Sequence, residues 1–217
     1  TNYRDSMIRG LIFDLDGTLV DSLPGIATAL NHALEDIELP NHSQDIVETF
    51  IGDGLLKLII RALGPNHSNQ KDQLLAAFQK RYSEEWKNGT FPYPGLISLL
   101  EELRQNNMPM AVLSNKPHDY TVEIVETLFP HNLFSQVRGQ QEGYPKKPDP
   151  TTAHQIISDW NLKAEEVAYI GDSTVDLATA RNGKMTPLIF SWGYGTPDDF
   201  PLLDSVDDLR NAILKPS

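Results

Sequence analysis

The chain has 217 residues, with 30 acidic against 18 basic side chains and a formal net charge of −12. Hydrophobic residues make up 40% and charged residues 22%, enough apolar material for a packed core, which excludes a disordered chain. The acidic balance argues against a nucleic-acid or anionic-membrane surface, and the lack of cysteine excludes disulfides, zinc–thiolate centres and cysteine nucleophiles.

In chain order, Thr1 to Arg9 carries no signal-peptide core, and no apolar run approaches the ~18 residues of a membrane span, so a cytoplasmic protein is expected. Ile8 to Phe13 is the first of several short apolar runs that read as parallel strands covered on both faces. From Leu23 to Tyr93 the apolar spacing is helical, as in Ile26, Leu30, Ala33 and Leu34 and again in Leu55, Leu58 and Ile59. Pro40, Gly52, Gly54, Gly64 and Pro65 interrupt it, and no strand is evident there. The stretch reads as a helical insertion whose return is marked by Pro92-Tyr93-Pro94-Gly95. Helices are then predicted at Leu96 to Asn106, Thr121 to Leu128, Thr152 to Trp160 and Val175 to Asn182, the last ending at Gly183 as a C-cap. Strands are predicted at Met110 to Leu113, Val167 to Ile170 and Pro187 to Phe190, with a weaker one at Gln136 to Arg138. Asp198, Asp199, Asp204, Asp207 and Asp208 read as a solvated face. The alternation implies an α/β fold, a Rossmann-like parallel sheet core with an inserted helical cap: residues 1–21 and 94–217 form the core and 22–93 the cap.

Ligands of an open α/β sheet bind at the carboxyl ends of its strands. Asp14-Leu15-Asp16-Gly17-Thr18 follows the first strand, Ser114-Asn115-Lys116 follows Leu113, and Gly171-Asp172-Ser173 with Asp176 follows Ile170. Lys146-Lys147-Pro148 lies in a proline-rich loop nearby. Taken singly, each is ordinary: Asp-x-Asp is most often a solvated turn, Asp172 and Asp176 suit a helix N-terminus, and Lys147 suits a surface. Together they bring carboxylates, a hydroxyl, an amide and a lysine to one rim. Carboxylates so gathered repel one another unless a cation joins them, and oxygen-only ligands select a hard ion, Mg²⁺ above all. Asp14, Asp172 and a backbone carbonyl near Asp16 suit a Mg²⁺–phosphate site. In Asp14-x-Asp16, i and i+2 lie on one side of an extended segment, so one carboxylate can attack while the other holds a proton for the leaving alcohol. Gly17 permits a tight turn. Thr18, Ser114 and Asn115 offer neutral donors to phosphoryl oxygens, and Lys147 the point charge that a phosphate dianion requires.

This pattern resembles the haloacid dehalogenase superfamily of phosphohydrolases, from Ile8 to about Gly195. Asp14-Leu15-Asp16-Gly17-Thr18-Leu19-Val20-Asp21-Ser22 is similar to its first motif, Ser114-Asn115 to the second, Lys147-Pro148 to the third, and Gly171-Asp172-Ser173 with Asp176 to the fourth. The resemblance implies Asp14 as the nucleophile that becomes an aspartyl phosphate, and Asp16 as general acid and then base. It implies Mg²⁺ on Asp14, Asp172 and the Asp16 carbonyl, supported by Ser173 and Asp176, with Lys147 bridging nucleophile and phosphate. Lys147, directly before Pro148, is favoured over Lys146. The insertion resembles a helical cap. Ile51-Gly52-Asp53-Gly54, Ser114-Asn115-Lys116-Pro117 and Trp192-Gly193-Tyr194-Gly195 resemble the phosphoglycolate phosphatase group. Such a lid answers a physical need, because phosphate monoester hydrolysis demands roughly 20 kcal/mol of barrier reduction and a closed site excludes water. Gly52, Asp53 and Gly54 are the candidate cap residues at the substrate.

The expected function is therefore a Mg²⁺-dependent phosphatase acting on a small phosphorylated metabolite, with phosphoglycolate foremost, as a monomer or homodimer with no nucleic-acid or membrane partner. A phosphosugar mutase using the same aspartyl phosphate is one alternative, and a receiver-like phospho-acceptor module another, although the insertion and Asp16 argue against the latter. The six histidines show no ligand spacing, and no Gly-x-x-x-x-Gly-Lys loop is present. Trp86 and Trp160 are read as packing residues.

Overall fold

A computed structural model describes residues 8–214; the expectation for Thr1 to Met7 at the N-terminus lies outside these residues. Five strands, β1 (Gly10–Phe13), β4 (Met110–Pro117), β5 (Gln136–Gln140), β6 (Val167–Gly171) and β7 (Thr186–Phe190), join the short β8 (Leu202–Leu203) in a parallel sheet of order β5-β4-β1-β6-β7-β8. The strands alternate in the direction they bury. Leu11 and Phe13 face one apolar cluster with Val112, Ala168 and Ile170, whereas Ile12 faces a second with Ala111, Leu113, Val167 and Tyr169. Both faces are thus covered, which explains why these runs carry no polar alternation.

The helices divide between the two faces. Leu99, Leu100 and Leu103 of α5 (Leu96–Gln105), Ile124 and Val125 of α6 (His118–Leu128), and Leu209 and Ile213 of α9 (Val206–Ile213) pack in the first cluster. Ala153, Ile156 and Ile157 of α7 (Thr151–Asp159) and Ala180 of α8 (Thr174–Asn182) pack in the second, with Trp160 against them. Between β1 and α5 run α1 (Leu23–Asp36), α2 (Gln44–Glu48), α3 (Leu55–Leu63) and α4 (Lys71–Glu85). Trp86 is buried below α4, and Phe78 and Tyr82 stack on each other within it.

Three details differ from the sequence reading. The helical stretch does contain a strand: β3 (Phe91–Pro92) pairs antiparallel with β2 (Val20–Asp21), forming a stem where the insertion leaves and rejoins the core. These are too short to show a period in sequence. β4 runs past Leu113 to Pro117, carrying Ser114, Asn115 and Lys116 with it. Gly183 caps α8 as expected, with φ −87°, and the left-handed residue follows it at Lys184. The acidic C-terminal stretch contains β8 and α9, whose Asp208 accepts the Asp204 N–H, so it is a capped helix with a solvated side.

Candidate functional site

The chain runs from β1 outward to β4 and β5, then returns to β6 on the other side of β1. That reversal opens a crevice at the carboxyl ends of β1 and β6. Asp14 follows β1 and Asp172 follows β6, and with Asp176 they form a buried triad in which one carboxylate oxygen from each lies within 4.8 Å of the others. It arises from three local features. Asp14 is held by the Leu15 N–H at 2.7 Å. Ser173 caps α8, donating its hydroxyl to Asp176 Oδ2 and accepting the Asp176 N–H, which turns that carboxylate back toward the sheet. The Asp172 and Ser173 N–H groups also donate to Asp176 Oδ2.

Lys147 reaches into the triad. Its Nζ lies 3.1 Å from Asp14 Oδ1 and 2.7 Å from Asp176 Oδ1, and it passes over the Tyr169 ring. Burial opposes its charge, but the two carboxylates outweigh it and raise its pKa. Burial, and then the Asp176 charge, lifts the Asp14 carboxyl to about 7 against the pull of Lys147. Burial with the Asp176 and Asp14 charges lifts Asp172 well above the carboxylate range. One ammonium against three carboxylates leaves the cluster short of positive charge. An all-oxygen donor set with that deficit fits a hard divalent cation.

Asp16 stands apart from the triad. Its carboxylate accepts from Ser22 Oγ at 2.6 Å and from Lys116 Nζ at 3.1 and 3.3 Å. Lys116, nearly buried, lies over the Tyr82 ring, and Asp16 keeps it charged despite burial. Asp14, Asp16 and Ser114 line a cavity roofed by Ile26 of α1, Leu55 and Leu58 of α3, and Phe78 and Tyr82 of α4.

The structure redirects several expected phosphate ligands. Thr18 is fully buried and donates to Asp172 Oδ1 at 2.8 Å, so it holds a carboxylate in place and does not face the cavity. The Gly17 N–H donates to Val20 O, and its positive φ of 80° makes the turn that lets its backbone lie against the Asp172 carboxylate, where a Cβ would collide. Asn115 is fully committed: Nδ2 donates to Gly52 O and Lys147 O, and Oδ1 accepts the Lys147 N–H. It ties the helical roof and the lysine loop to β4. Ser114 keeps its place, with Oγ accepting the Lys116 N–H and its hydroxyl hydrogen still available. Gly52 and Gly54 line the cavity, but Asp53 does not, because Arg61 draws its carboxylate away. Lys146 turns the other way from Lys147 and donates to Asp53 O at 3.2 Å.

Lys116 and Tyr194 had no assigned role in the sequence reading. A signal for Lys116 was present: it stands two residues after Ser114, so an extended β4 brings both to one face, the same argument that pairs Asp14 with Asp16. The Tyr194 N–H donates to Asp172 Oδ2, while its hydroxyl donates to Asp21 and accepts the Ser22 and Leu23 N–H groups. No histidine lines the cavity or joins the acidic triad among the described residues, and His42 and His154 instead bond Ala62 O and Gly183 O.

A carboxylate cluster at the switch point of a doubly wound parallel sheet, with a lysine among the acids and a helical roof, defines a hydrolase of the α/β class. The chain belongs to the haloacid dehalogenase-like hydrolases, whose pattern matches residues 11–189. It is 33% identical over 191 residues to phosphoglycolate phosphatase of Yersinia pestis, covering 86% of this chain and 82% of that one. It is 30% identical over 233 residues to phosphoglycolate phosphatase of Escherichia coli K12, covering 95% and 92%. A crystal structure from Lactobacillus delbrueckii subsp. bulgaricus, provisionally named a phosphoglycolate phosphatase, superposes with a TM-score of 0.90 at 27% identity, covering 97% of this chain and all of that one. The chain is therefore an enzyme, which sets aside the receiver-like alternative. Among the described residues, no helix is long and apolar enough to cross a membrane.

Proposed function

We propose that the protein is a Mg²⁺-dependent phosphatase that hydrolyses small phosphomonoesters through an aspartyl phosphate on Asp14, with phosphoglycolate the first substrate to test. The observation that carries this reading is Lys147 Nζ held between Asp14 and Asp176, with Asp172 in the same buried cluster. Asp14 attacks phosphorus, and the leaving alcohol takes its proton from Asp16, which later accepts one from the hydrolytic water. Asp16 suits that exchange because it lines the cavity beside Asp14 without joining the triad. Lys147 balances the charge that gathers on Asp14 and the transferring group, and Ser114 donates to a phosphoryl oxygen. Thr18 and the Tyr194 N–H fix both oxygens of Asp172, and Ser173 with the N–H groups of residues 172 and 173 fixes Asp176. Asp14, Asp172 and the Asp16 carbonyl would hold Mg²⁺, with Asp176 behind them; a bound Mg²⁺ supplies charge neutralisation for nucleophile and phosphate together. Residues 22–93 act as a cap over a core of 1–21 and 94–217, keeping water from the site.

Phosphate release from a panel of phosphorylated metabolites, with and without Mg²⁺, tests the reading. Activity should vanish in EDTA and return with Mg²⁺. Turnover indifferent to chelation would remove the metal assignment.

A further inference from the structure

A second, smaller cavity lies between the carboxyl ends of β4 and β5 and the start of α7. Ser114 and Asn115 form the wall that it shares with the catalytic cavity. Its polar groups have no part in the phosphatase chemistry. Arg138 of β5 lines it with a guanidinium whose Nε and Nη2 both donate to one neutral acceptor, Gln136 Oε1, at 3.2 and 3.1 Å. Among the described residues no carboxylate pairs with this guanidinium, and its Nη1 donates to nothing. Thr152 also lines the cavity. It is only 6% exposed, yet its hydroxyl makes no hydrogen bond to the protein among the described residues, an unusual state for a buried polar group. It stands in the first turn of α7, where its N–H and that of Ala153 have no acceptor and the helix end is positive. Asp149 is the one acid that lines the cavity; it is an exposed residue whose Oδ1 accepts the Thr151 N–H and so caps α7.

We propose that this cavity is a second oxyanion site, which takes a free tetrahedral ion such as inorganic phosphate, with Arg138 supplying the charge and Thr152 the donors. Unpartnered donors gathered around a guanidinium and a helix start are complemented by several acceptor oxygens on one small anion. The cavity is narrow, so it admits an ion and leaves no room for an organic group attached to it. Lys147 borders the cavity, but its ammonium is turned away to Asp14 and Asp176, so the ion does not compete for the catalytic cation. It lies instead against Asn115, which holds the Lys147 backbone through the Lys147 N–H and carbonyl. The inference goes beyond the phosphatase reading and does not depend on it.

The test titrates the full chain with sodium phosphate, at constant ionic strength and without substrate, while N–H signals are followed by nitrogen-15 NMR. Gly139 and Thr152 line this cavity and not the catalytic one, whereas Asp16 and Leu55 line only the catalytic one, so their amides report the two separately. The wild type should show saturable shifts at Gly139 and Thr152 with a midpoint independent of any at Asp16 and Leu55. Arg138→Gln should weaken the first midpoint by about ten- to hundredfold, the effect of deleting one charge-assisted hydrogen bond, and leave the second in place. Thr152→Val, which keeps the shape of the side chain, should weaken it by about two- to tenfold. Asp149→Asn, which can still cap α7, should tighten it by removing the opposing charge. Sodium sulfate should reproduce the response, and phenylphosphonate, which carries its oxyanion on a ring, should not. No saturable shift at Gly139 and Thr152 in the wild type would overturn the proposal, a result that needs no variant to fold. So would a midpoint that neither Arg138→Gln nor Thr152→Val moves, an equal response to sodium chloride, or phenylphosphonate binding there as tightly as phosphate. Turnover is not measured, so a failure of the phosphatase reading would leave this result standing.

Discussion

The rim of the sheet and the helical roof are held by different kinds of force. At the rim, each carboxylate of the triad is pinned by named bonds: Asp172 by Thr18 and Tyr194, Asp176 by Ser173 and two backbone N–H groups, and Asp14 by Leu15 and Lys147. The roof is an apolar surface, tied to the rim by the Gly52 and Asp53 carbonyls, which accept from Asn115 and Lys146. Directional bonds preorganise charge, and apolar packing leaves the roof free to adapt. The reacting end is therefore built to be rigid, and the end that reads the leaving group can vary.

Substitutions ordered by expected effect test that contrast. Asp14→Asn should abolish phosphate release, by about 10⁴-fold or more, with the circular dichroism of the wild type, because it removes the nucleophile while keeping its shape. Residual turnover near the wild-type rate would place the reacting atom elsewhere. Lys147→Met should cost roughly 3–5 kcal/mol in chemical denaturation as well as activity, since it leaves Asp14 and Asp176 facing each other without their cation. A stability loss under about 1 kcal/mol would mean that the rim is not the rigid part. Tyr194→Phe is smaller: it strands the Ser22 N–H and leaves the Leu23 N–H only its long bond to Asp21 Oδ1, about 1–3 kcal/mol, and amide exchange at the start of α1 should quicken before exchange in β6 does.

Asp36→Asn, on the exposed side of α1, should have the least effect. The Arg81 guanidinium beside Asp36 holds its carboxyl below the usual range. A depressed folded value means that the pair's contribution is present above the unfolded pKa, near ~3.9, and is lost as pH falls through the lower folded value. Wild type and variant should therefore differ slightly in Tm at neutral pH and converge in acid. A difference that grew on acidification would reverse the sign of this linkage.

How much of this was legible in the sequence follows the same division. β1, β4, β6 and β7 announced themselves because strands covered on both faces read as continuous apolar runs. β5 was faint because Gln136, Arg138 and Gln140 sit half-buried at the sheet's edge. β8 and α9 were hidden: Leu202 and Leu203 are a pair too short to show a period, and the acidic side of α9 outweighs the stripe of Leu209 and Ile213. At the rim, residue types betray the chemistry, so Asp14, Asp16 and Asp172 could be found after strands, with Asp176 one helical turn on and Lys147 in the proline-rich loop before α7. Spacing tells proximity and not aim, which is why Thr18 and Asn115 read as substrate donors yet turn inward to support Asp172 and Lys147. The roof gave little away, because Ile26, Leu55, Leu58 and Phe78 look like any helix core until the fold sets them over the cavity.

The neighbouring lysines of the proline-rich loop carry a consequence for how this loop can evolve. Lys147 enters the acids and Lys146 grips the roof, from consecutive positions at a turn closed by the Asp149 N–H on Lys146 O. Lengthening the loop ahead of them by one residue would bring Lys146 to the place of Lys147 and Pro145 to the place of Lys146, and shortening it would bring Pro148 to the place of Lys147, so either change costs one of the two contacts. The segment can therefore vary in composition far more freely than in length.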